Sequence, residues 1–158
     1  MRLLTMIAIF LLTIPNAYGS MPEPEGWRVR NTNQSYPELL DNLRTAVSAE
    51  NMGLVTDVGP TRVAAQRGEY IPGNRVIGVF RNDFAVRALR ASVPAMIEAP
   101  IRFYVTENDD GTATLSWKRP SYVFAPYFDE GNPELREVAN ELDKIFRAIG
   151  EIATETDG

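Results

Sequence analysis

The sequence contains no cysteine, which excludes disulfide bonds, thiol nucleophiles, iron–sulfur clusters and zinc sites built from thiolates. It contains no histidine either, so the commonest general base and every serine–histidine or cysteine–histidine pair are missing. Among the side chains that remain, no phosphate loop, nucleophile elbow or metalloprotease motif occurs. The sequence therefore predicts neither a metal site nor a cofactor.

Positive charge is also scarce. The formal net charge is −5, and only Lys118 and Lys144 among the 16 basic residues are lysines. An acidic chain is repelled by a phosphate backbone, so we expect no nucleic-acid partner. The arginine bias fits planar recognition of carboxylate or phosphate groups, but it also fits the codon usage of a GC-rich genome. The scatter of the arginines along the chain, as on a solvated surface, favours the second interpretation.

Long apolar runs are missing except at the N-terminus. Arg2 is followed by an apolar run from Leu3 to Ile14, and the small residues Ala17 and Gly19 suit positions −3 and −1 of a cleavage site. The run is shorter than the roughly 20 residues needed to span a bilayer. We therefore predict a signal peptide over residues 1–19 and a periplasmic or secreted protein. After cleavage we expect no stable membrane anchor.

The rest of the chain is the length of one domain. Residues 20–26 are rich in proline and glutamate and are expected to form a flexible lead-in. Residues 27–150 are predicted to form a single α+β domain, and residues 151–158 a fraying acidic tail.

Three helices are predicted from capping residues and apolar spacing. The first begins at Ser35 with Glu38 completing a capping box, and Gly53 is expected to be its C-cap. Asn82 is expected to cap the second helix, and Asn132 the last one. A weak helical turn is expected over residues 61–67.

Between these helices the sequence alternates in the manner of β-strands. The clearest pair is a hairpin around the turn Asn108–Gly111, which has too few oxygen ligands for a calcium loop. The predicted fold is α+β, an antiparallel sheet of about four to five strands with helices packed on one face. The predicted strands are Trp27–Asn31, Leu54–Val58, Arg75–Phe80, Ile101–Glu107 and Thr112–Arg119.

The hairpin strands predict two different faces. Ile101, Phe103 and Val105, with Ala113, Leu115 and Trp117, are expected to face the helices. The alternate residues form a semi-polar face that the helices leave uncovered, which we call the open face. Ile77 and Val79 are expected to reach it from the neighbouring strand. Its mixed character predicts a homodimer contact. The alternate residues are Arg102, Tyr104, Thr106, Thr114, Ser116 and Lys118.

Five aromatic residues lie between Trp117 and Phe128, and they either pack the preceding loop onto the core or form the rim of a ligand site. Any ligand site is predicted to lie between this segment and the open face. Its arginines are expected to hold an anionic group while its rings cover a flat or apolar body. The predicted site residues are Arg102, Tyr104, Trp117, Arg119 and Tyr122.

From about Tyr36 to Ile149 the chain resembles the domain-of-unknown-function family 302. The resemblance is carried by Leu39-Leu40-x-x-Leu43, Met52–Val55, Val76–Asn82, Ala99–Val105 and Asp110–Thr112. The family's Phe-Gly-Asn-Pro run is represented by Phe80-Arg81-Asn82-Asp83, and its frequent histidines are missing. The resemblance implies a curved antiparallel sheet in an α+β fold similar to that of the TATA-binding protein. It implies no activity, because none is established for the family.

Three functions remain open from the sequence. The favoured one is an exported non-catalytic module that binds a small ligand or a partner protein. The second is a hydrolytic or isomerising enzyme that uses carboxylates, which would show a carboxyl group with a perturbed pKa deep in a pocket. The third is a homo-oligomeric interaction domain, which would show a flush sheet face without a pocket.

Overall fold

Five antiparallel strands form one sheet in the order β1-β5-β4-β3-β2. This computed structural model describes residues 22–129 and 132–155, so the predicted signal peptide lies outside the described residues. The strands are β1 (Trp27–Ser35), β2 (Gly53–Val58), β3 (Asn74–Phe80), β4 (Ile101–Glu107) and β5 (Thr112–Lys118). The predicted α+β fold class is confirmed.

The described residues form five helices, which are interspersed with the strands along the chain. They are α1 (Tyr36–Ala49), α2 (Thr61–Gln66), α3 (Asn82–Ala91), α4 (Pro120–Phe124) and α5 (Glu134–Thr154), with 3₁₀ turns at Pro94–Glu98 and Ala125–Tyr127. Within the described ranges, no helix combines the length and apolarity needed to cross a bilayer.

The core lies between the sheet and the helices. Phe103 of β4 is fully buried, and its ring stacks on that of Phe146 in α5 with 4.7 Å between the centroids. Trp117 of β5 packs beside Phe103 at 5.5 Å. A Cβ added to Gly150 of α5 would lie 2.4 Å from Cη2 of Trp117, so the glycine makes room for the indole ring. This packing confirms the predicted helix-facing set of the hairpin.

The predicted helix ends are partly right. The Ser35–Glu38 capping box of α1 is present, and the Asn132 side chain accepts a hydrogen bond from the Glu134 N–H (3.0 Å) at the start of α5. Gly53 is not the C-cap of α1: Asn51 takes the left-handed conformation (φ 56°), which asparagine tolerates, and Gly53 starts β2. Asn82 is the first helical residue of α3, because the extended conformation continues through Arg81.

The last helix is longer than predicted. It continues to Thr154, four residues into the segment expected to be a tail, and Ala153 is fully buried. The buried Gln34 side chain donates to the carbonyl oxygen of Ala153 (3.1 Å) and accepts from the Asn42 side chain (3.1 Å). The helix end is therefore fixed to β1 and α1, which the acidic composition of the last residues concealed.

The strand register corrects one part of the predicted open face. Ile77 pairs with Phe103 and Val79 with Ile101, and all four are buried on the helix side. Because cross-strand partners lie on the same face of a sheet, Ile77 and Val79 cannot reach the open face. Val76, opposite Tyr104, and Gly78, opposite Arg102, take those positions instead.

Candidate functional site

Cross-strand pairing brings two cations together on the open face. Lys118 is opposite Trp27 of β1, and Arg102 is opposite Gly78 of β3. Phe103 pairs with Trp117 between β4 and β5, so the same register continued by one residue places Arg102 beside Lys118. Directly opposite residues have Cβ atoms about 5 Å apart, so the two basic side chains rise from adjacent points of the sheet.

A groove of about 490 Å³ lies over this part of the open face, and we call it the open-face groove. Its walls include α4, through Val123, and the Pro94–Glu98 turn, through Glu98. On the sheet it is lined by Trp27, Asn74, Val76, Arg102, Tyr104 and Lys118, and the lining is completed by Ile101, Phe103 and Trp117. The groove therefore combines two cations and one carboxylate with aromatic and aliphatic surface.

The cations of the groove have no counterion among the residues that the structure describes. Arg102 and Lys118 are exposed, and neither forms a salt bridge within residues 22–129 and 132–155. The Nζ atom of Lys118 lies 5.7 Å from the centre of the Trp27 ring, within the range of a cation–π contact. These positive charges are thus available to an anion that enters the groove.

The polar groups around these cations are held in place. The Tyr127 hydroxyl donates to Oε1 of Glu98 (2.8 Å), and this bond to a carboxylate raises the pKa of Tyr127 above its usual 10.0. The Tyr104 hydroxyl accepts a hydrogen bond from the Asn74 side chain. The orientations of Glu98 and Tyr104 are therefore set by neighbours before any ligand is present.

Three of the five predicted site residues, Arg102, Tyr104 and Trp117, line the open-face groove, and the first two have side chains on the open face. The Trp117 side chain does not lie on that face: it is only 2% exposed and its ring lies against Gly150 on the helix side. Alternation along β5 requires this, because Lys118 and Trp117 must point to opposite faces. The indole ring near the cations belongs to Trp27 instead.

Arg119 and Tyr122 lie beside the groove at the start of α4, and neither contributes to its lining. The Tyr122 ring covers Gly26, where an added Cβ would be 2.1 Å from the ring, although Tyr122 is still 40% exposed. The backbone N–H of Arg119 donates to the Gly26 carbonyl (2.8 Å). These residues fix the lead-in to the domain, so this part of the aromatic segment has a packing role.

Sequence reasoning missed Trp27, Glu98 and Lys118 as groove residues. Lys118 was assigned to the open face and Trp27 to a strand, but nothing local to either shows that β1 pairs with β5. Glu98 reaches the groove through a 3₁₀ turn that the sequence did not predict. In the part of the chain that the structure describes, no group of three or more acidic side chains is arranged to hold a metal ion.

The family model described as "Domain of unknown function DUF302" matches residues 28–151, from β1 into α5. The chain belongs to this family. All the groove residues named above, except Trp27 at the edge of the match, lie inside the DUF302 region. The comparison with curated proteins finds no match.

A solved structure confirms the DUF302 fold. It is the crystal structure of an uncharacterized conserved DUF302 protein from Bacillus stearothermophilus, which aligns with a TM-score of 0.72 at 16% sequence identity. The alignment covers 84% of this chain and 100% of that chain. At this identity the likeness establishes the fold of the DUF302 domain.

Proposed function

We propose that this protein is an exported, non-catalytic binding module that takes a small organic anion into the open-face groove. The observation that carries the proposal is the adjacent pair of cations, Arg102 and Lys118, which have no salt-bridge partner among the described residues and lie next to the Trp27 ring. The guanidinium fork of Arg102 suits a carboxylate, sulfonate or phosphate, and Lys118 adds a second positive charge. Binding there would neutralise charges that the described protein leaves without a counterion.

The size and the walls of the groove support a small ligand. Its volume of about 490 Å³ lies within the range of about 300–1,000 Å³ typical of small-molecule pockets. Trp27, Val76 and Val123 supply apolar contact beside the cations. A ligand with an anionic group attached to a flat or apolar body would contact both kinds of surface.

The composition of the groove favours binding over catalysis. General acid–base chemistry on carboxylates uses two groups whose environments separate their pKa values. Glu98 is the single carboxylate in the groove lining within the described residues, and Tyr127 already donates to it. The chain has no histidine or cysteine that could replace the missing partner.

Export is supported by the N-terminal leader, residues 1–19. Intact mass spectrometry of the protein recovered from a periplasmic fraction tests this part of the proposal. We expect a chain that begins at Ser20. A mature protein that still begins at Met1 would contradict export with cleavage.

A homodimer is the second candidate, and it would use the same face. Val76 and Val58 are cross-strand neighbours on the open face, and Val58 on the edge strand is 58% exposed. Sedimentation at micromolar concentration measures whether the protein is a dimer or a monomer whose open face is free for a ligand. If a dimer forms through this face, Tyr104→Arg should dissociate it without unfolding the subunit, because the charge would face its own copy across the two-fold axis.

The binding proposal is tested with 1-anilinonaphthalene-8-sulfonate, a flat anion whose fluorescence rises when it is bound. Its neutral relative N-phenyl-1-naphthylamine serves as the matched probe without the charge. We expect saturable binding of the anion, weakened about fivefold or more by Arg102→Gln, with little change for the neutral probe. Arg147→Gln is the matched control, because Arg147 is exposed on α5 and forms no salt bridge within the described residues. Equal anion affinity in both variants would refute the groove as the site.

A further inference from the structure

The open-face groove carries charges of both signs that do not neutralise one another. Arg102 and Lys118 rise from the sheet, and Glu98 enters from the Pro94–Glu98 turn. All three line the same cavity of about 490 Å³, yet within the described residues Glu98 forms no salt bridge with either cation. Its carboxylate oxygens are therefore more than 4 Å from both basic groups, and the cavity has a positive and a negative part.

Glu98 is held in a way that leaves it able to bind. Its Oε1 atom accepts the hydrogen bond from Tyr127, while its Oε2 atom makes no hydrogen bond within residues 22–129 and 132–155. A carboxylate accepts several hydrogen bonds, and those from an ammonium group are among the strongest. Tyr127 thus orients the carboxylate of a groove-lining residue that still has an unused acceptor oxygen.

A ligand with only a negative charge would satisfy half of this arrangement. It would neutralise Arg102 and Lys118, but it would also displace water from Glu98 and leave the Oε2 atom of that carboxylate without a partner. A ligand that also carries an ammonium group would pair with both parts of the groove. Trp27, Val76 and Val123 would contact the remainder of such a molecule.

We propose that the ligand of the open-face groove is a zwitterion of the α-amino acid class with an apolar or aromatic side chain. This inference rests on the function proposed above and specifies its ligand. The carboxylate of the ligand binds Arg102 and Lys118, and its ammonium group donates to Oε2 of Glu98. The side chain of the ligand lies along Trp27.

Three nearly isosteric probes test the two charges separately by isothermal titration calorimetry. L-tryptophan has both charges, indole-3-propionate lacks the ammonium group, and tryptamine lacks the carboxylate. We expect L-tryptophan to bind about tenfold more tightly than indole-3-propionate, since a charge-assisted hydrogen bond is worth about that factor. Tryptamine, which would meet the two cations with a third positive charge, should bind most weakly.

The variant Glu98→Gln tests whether Glu98 binds the ammonium group of the ligand. Glutamine can still accept the Tyr127 hydrogen bond, so the turn is retained, and an unchanged melting temperature checks this. The variant should reduce the affinity for L-tryptophan to that for indole-3-propionate, without weakening indole-3-propionate itself. Glu69→Gln, at an exposed position outside the groove lining, is the matched control and should change neither affinity.

The outcomes separate this inference from the function on which it rests. Equal affinities for L-tryptophan and indole-3-propionate, both insensitive to Glu98→Gln, would overturn the zwitterion while leaving an anion site that depends on Arg102. Failure of all three probes to bind at millimolar concentration would also overturn it. The titration with 1-anilinonaphthalene-8-sulfonate decides independently whether the groove binds anions at all.

Discussion

The two faces of the central strand β4 differ although their residues alternate along one chain. Phe103 is fully buried against Phe146, whereas its neighbours Arg102 and Tyr104 line a groove on the opposite face. The helix-facing side is apolar and closely packed, and the open side carries polar and charged groups around a cavity. Alternate residues of the same strand thus pack in the core and line the groove where we propose that a ligand binds.

The arginines on the two sides show the same contrast. Arg87 on α3 is paired with Glu134 (3.0 Å) and Glu141 (2.9 Å) of α5, so its charge is already used to join two helices. Arg102 on the open face has no such partner within the described residues. The composition of the chain does not distinguish Arg102 from Arg87, whereas the presence or absence of a counterion does.

The largest expected effect is the loss of a ring from the packed face. Phe103→Ala should lower the free energy of unfolding by about 3–5 kcal/mol, because it removes a buried ring that contacts both Trp117 and Phe146. Arg102→Ala, one residue away, should change it by no more than about 0.5 kcal/mol. Chemical denaturation of both variants measures the difference. Similar losses from the two would contradict the separation of the faces.

A smaller loss is expected where the helix approaches the sheet. Gly150→Ala should destabilise the protein by about 1–3 kcal/mol, because the new methyl group would overlap the indole ring of Trp117, 2.4 Å away. At an exposed helical position the same change would stabilise the protein, owing to the higher helix propensity of alanine. Thermal denaturation therefore decides between the two cases: we expect the melting temperature to fall, not to rise. A stabilised Gly150→Ala protein would show that the helix is not packed closely on Trp117.

The ion pairs at the edge of the packed face should contribute less to the stability of the protein than its buried rings do. Glu141→Gln should lower the free energy of unfolding by about 0.5–1 kcal/mol at neutral pH. The loss is small because solvent screens the ion pair with Arg87: the Glu141 side chain is 45% exposed.

The pH dependence of that loss follows from the direction of the pKa shift. The hydrogen bond from Arg87 lowers the pKa of Glu141 below its usual 4.5. Its contribution is therefore fully present above pH 4.5 and is lost as the pH falls through the lower, folded-state pKa. Denaturation curves at neutral and acid pH should show the difference between the parent protein and Glu141→Gln disappearing in acid. A difference that persists in acid would mean that the variant disturbs packing rather than an ion pair.

Local pattern predicts much of this fold and less of the site. The alternation of Ile101–Val105 identifies a strand and its two faces, and the Ser35–Glu38 pair identifies a helix start, because both signals lie within a few residues. The pairing of Trp27 with Lys118 joins the first strand to the last, and neither strand contains information on its partner. The sequence predicts Trp117 as both a core and a site residue, and its burial against Gly150, in agreement with the alternation along β5, resolves the conflict.

The contact between Glu98 and Tyr127 illustrates the same limit at a functional position. The two residues lie on separate 3₁₀ turns that meet after the chain has folded. The sequence supplies a glutamate and a tyrosine in segments without a clear periodic pattern. Their hydrogen bond, and with it the negative part of the groove, is visible in the folded protein alone.

A chemical-shift map of the ¹⁵N-labelled protein, titrated with 1-anilinonaphthalene-8-sulfonate, tests the central claim most directly. The account predicts that the amide signals of Val76, Arg102, Tyr104 and Lys118 move together and saturate, while those of α5 stay unchanged. The competing site is the exposed apolar surface of α3 and the following turn, which includes Leu89, Val93 and Ile97. Shifts confined to that surface, with the β4 and β5 signals unchanged, would contradict a binding site on the open face.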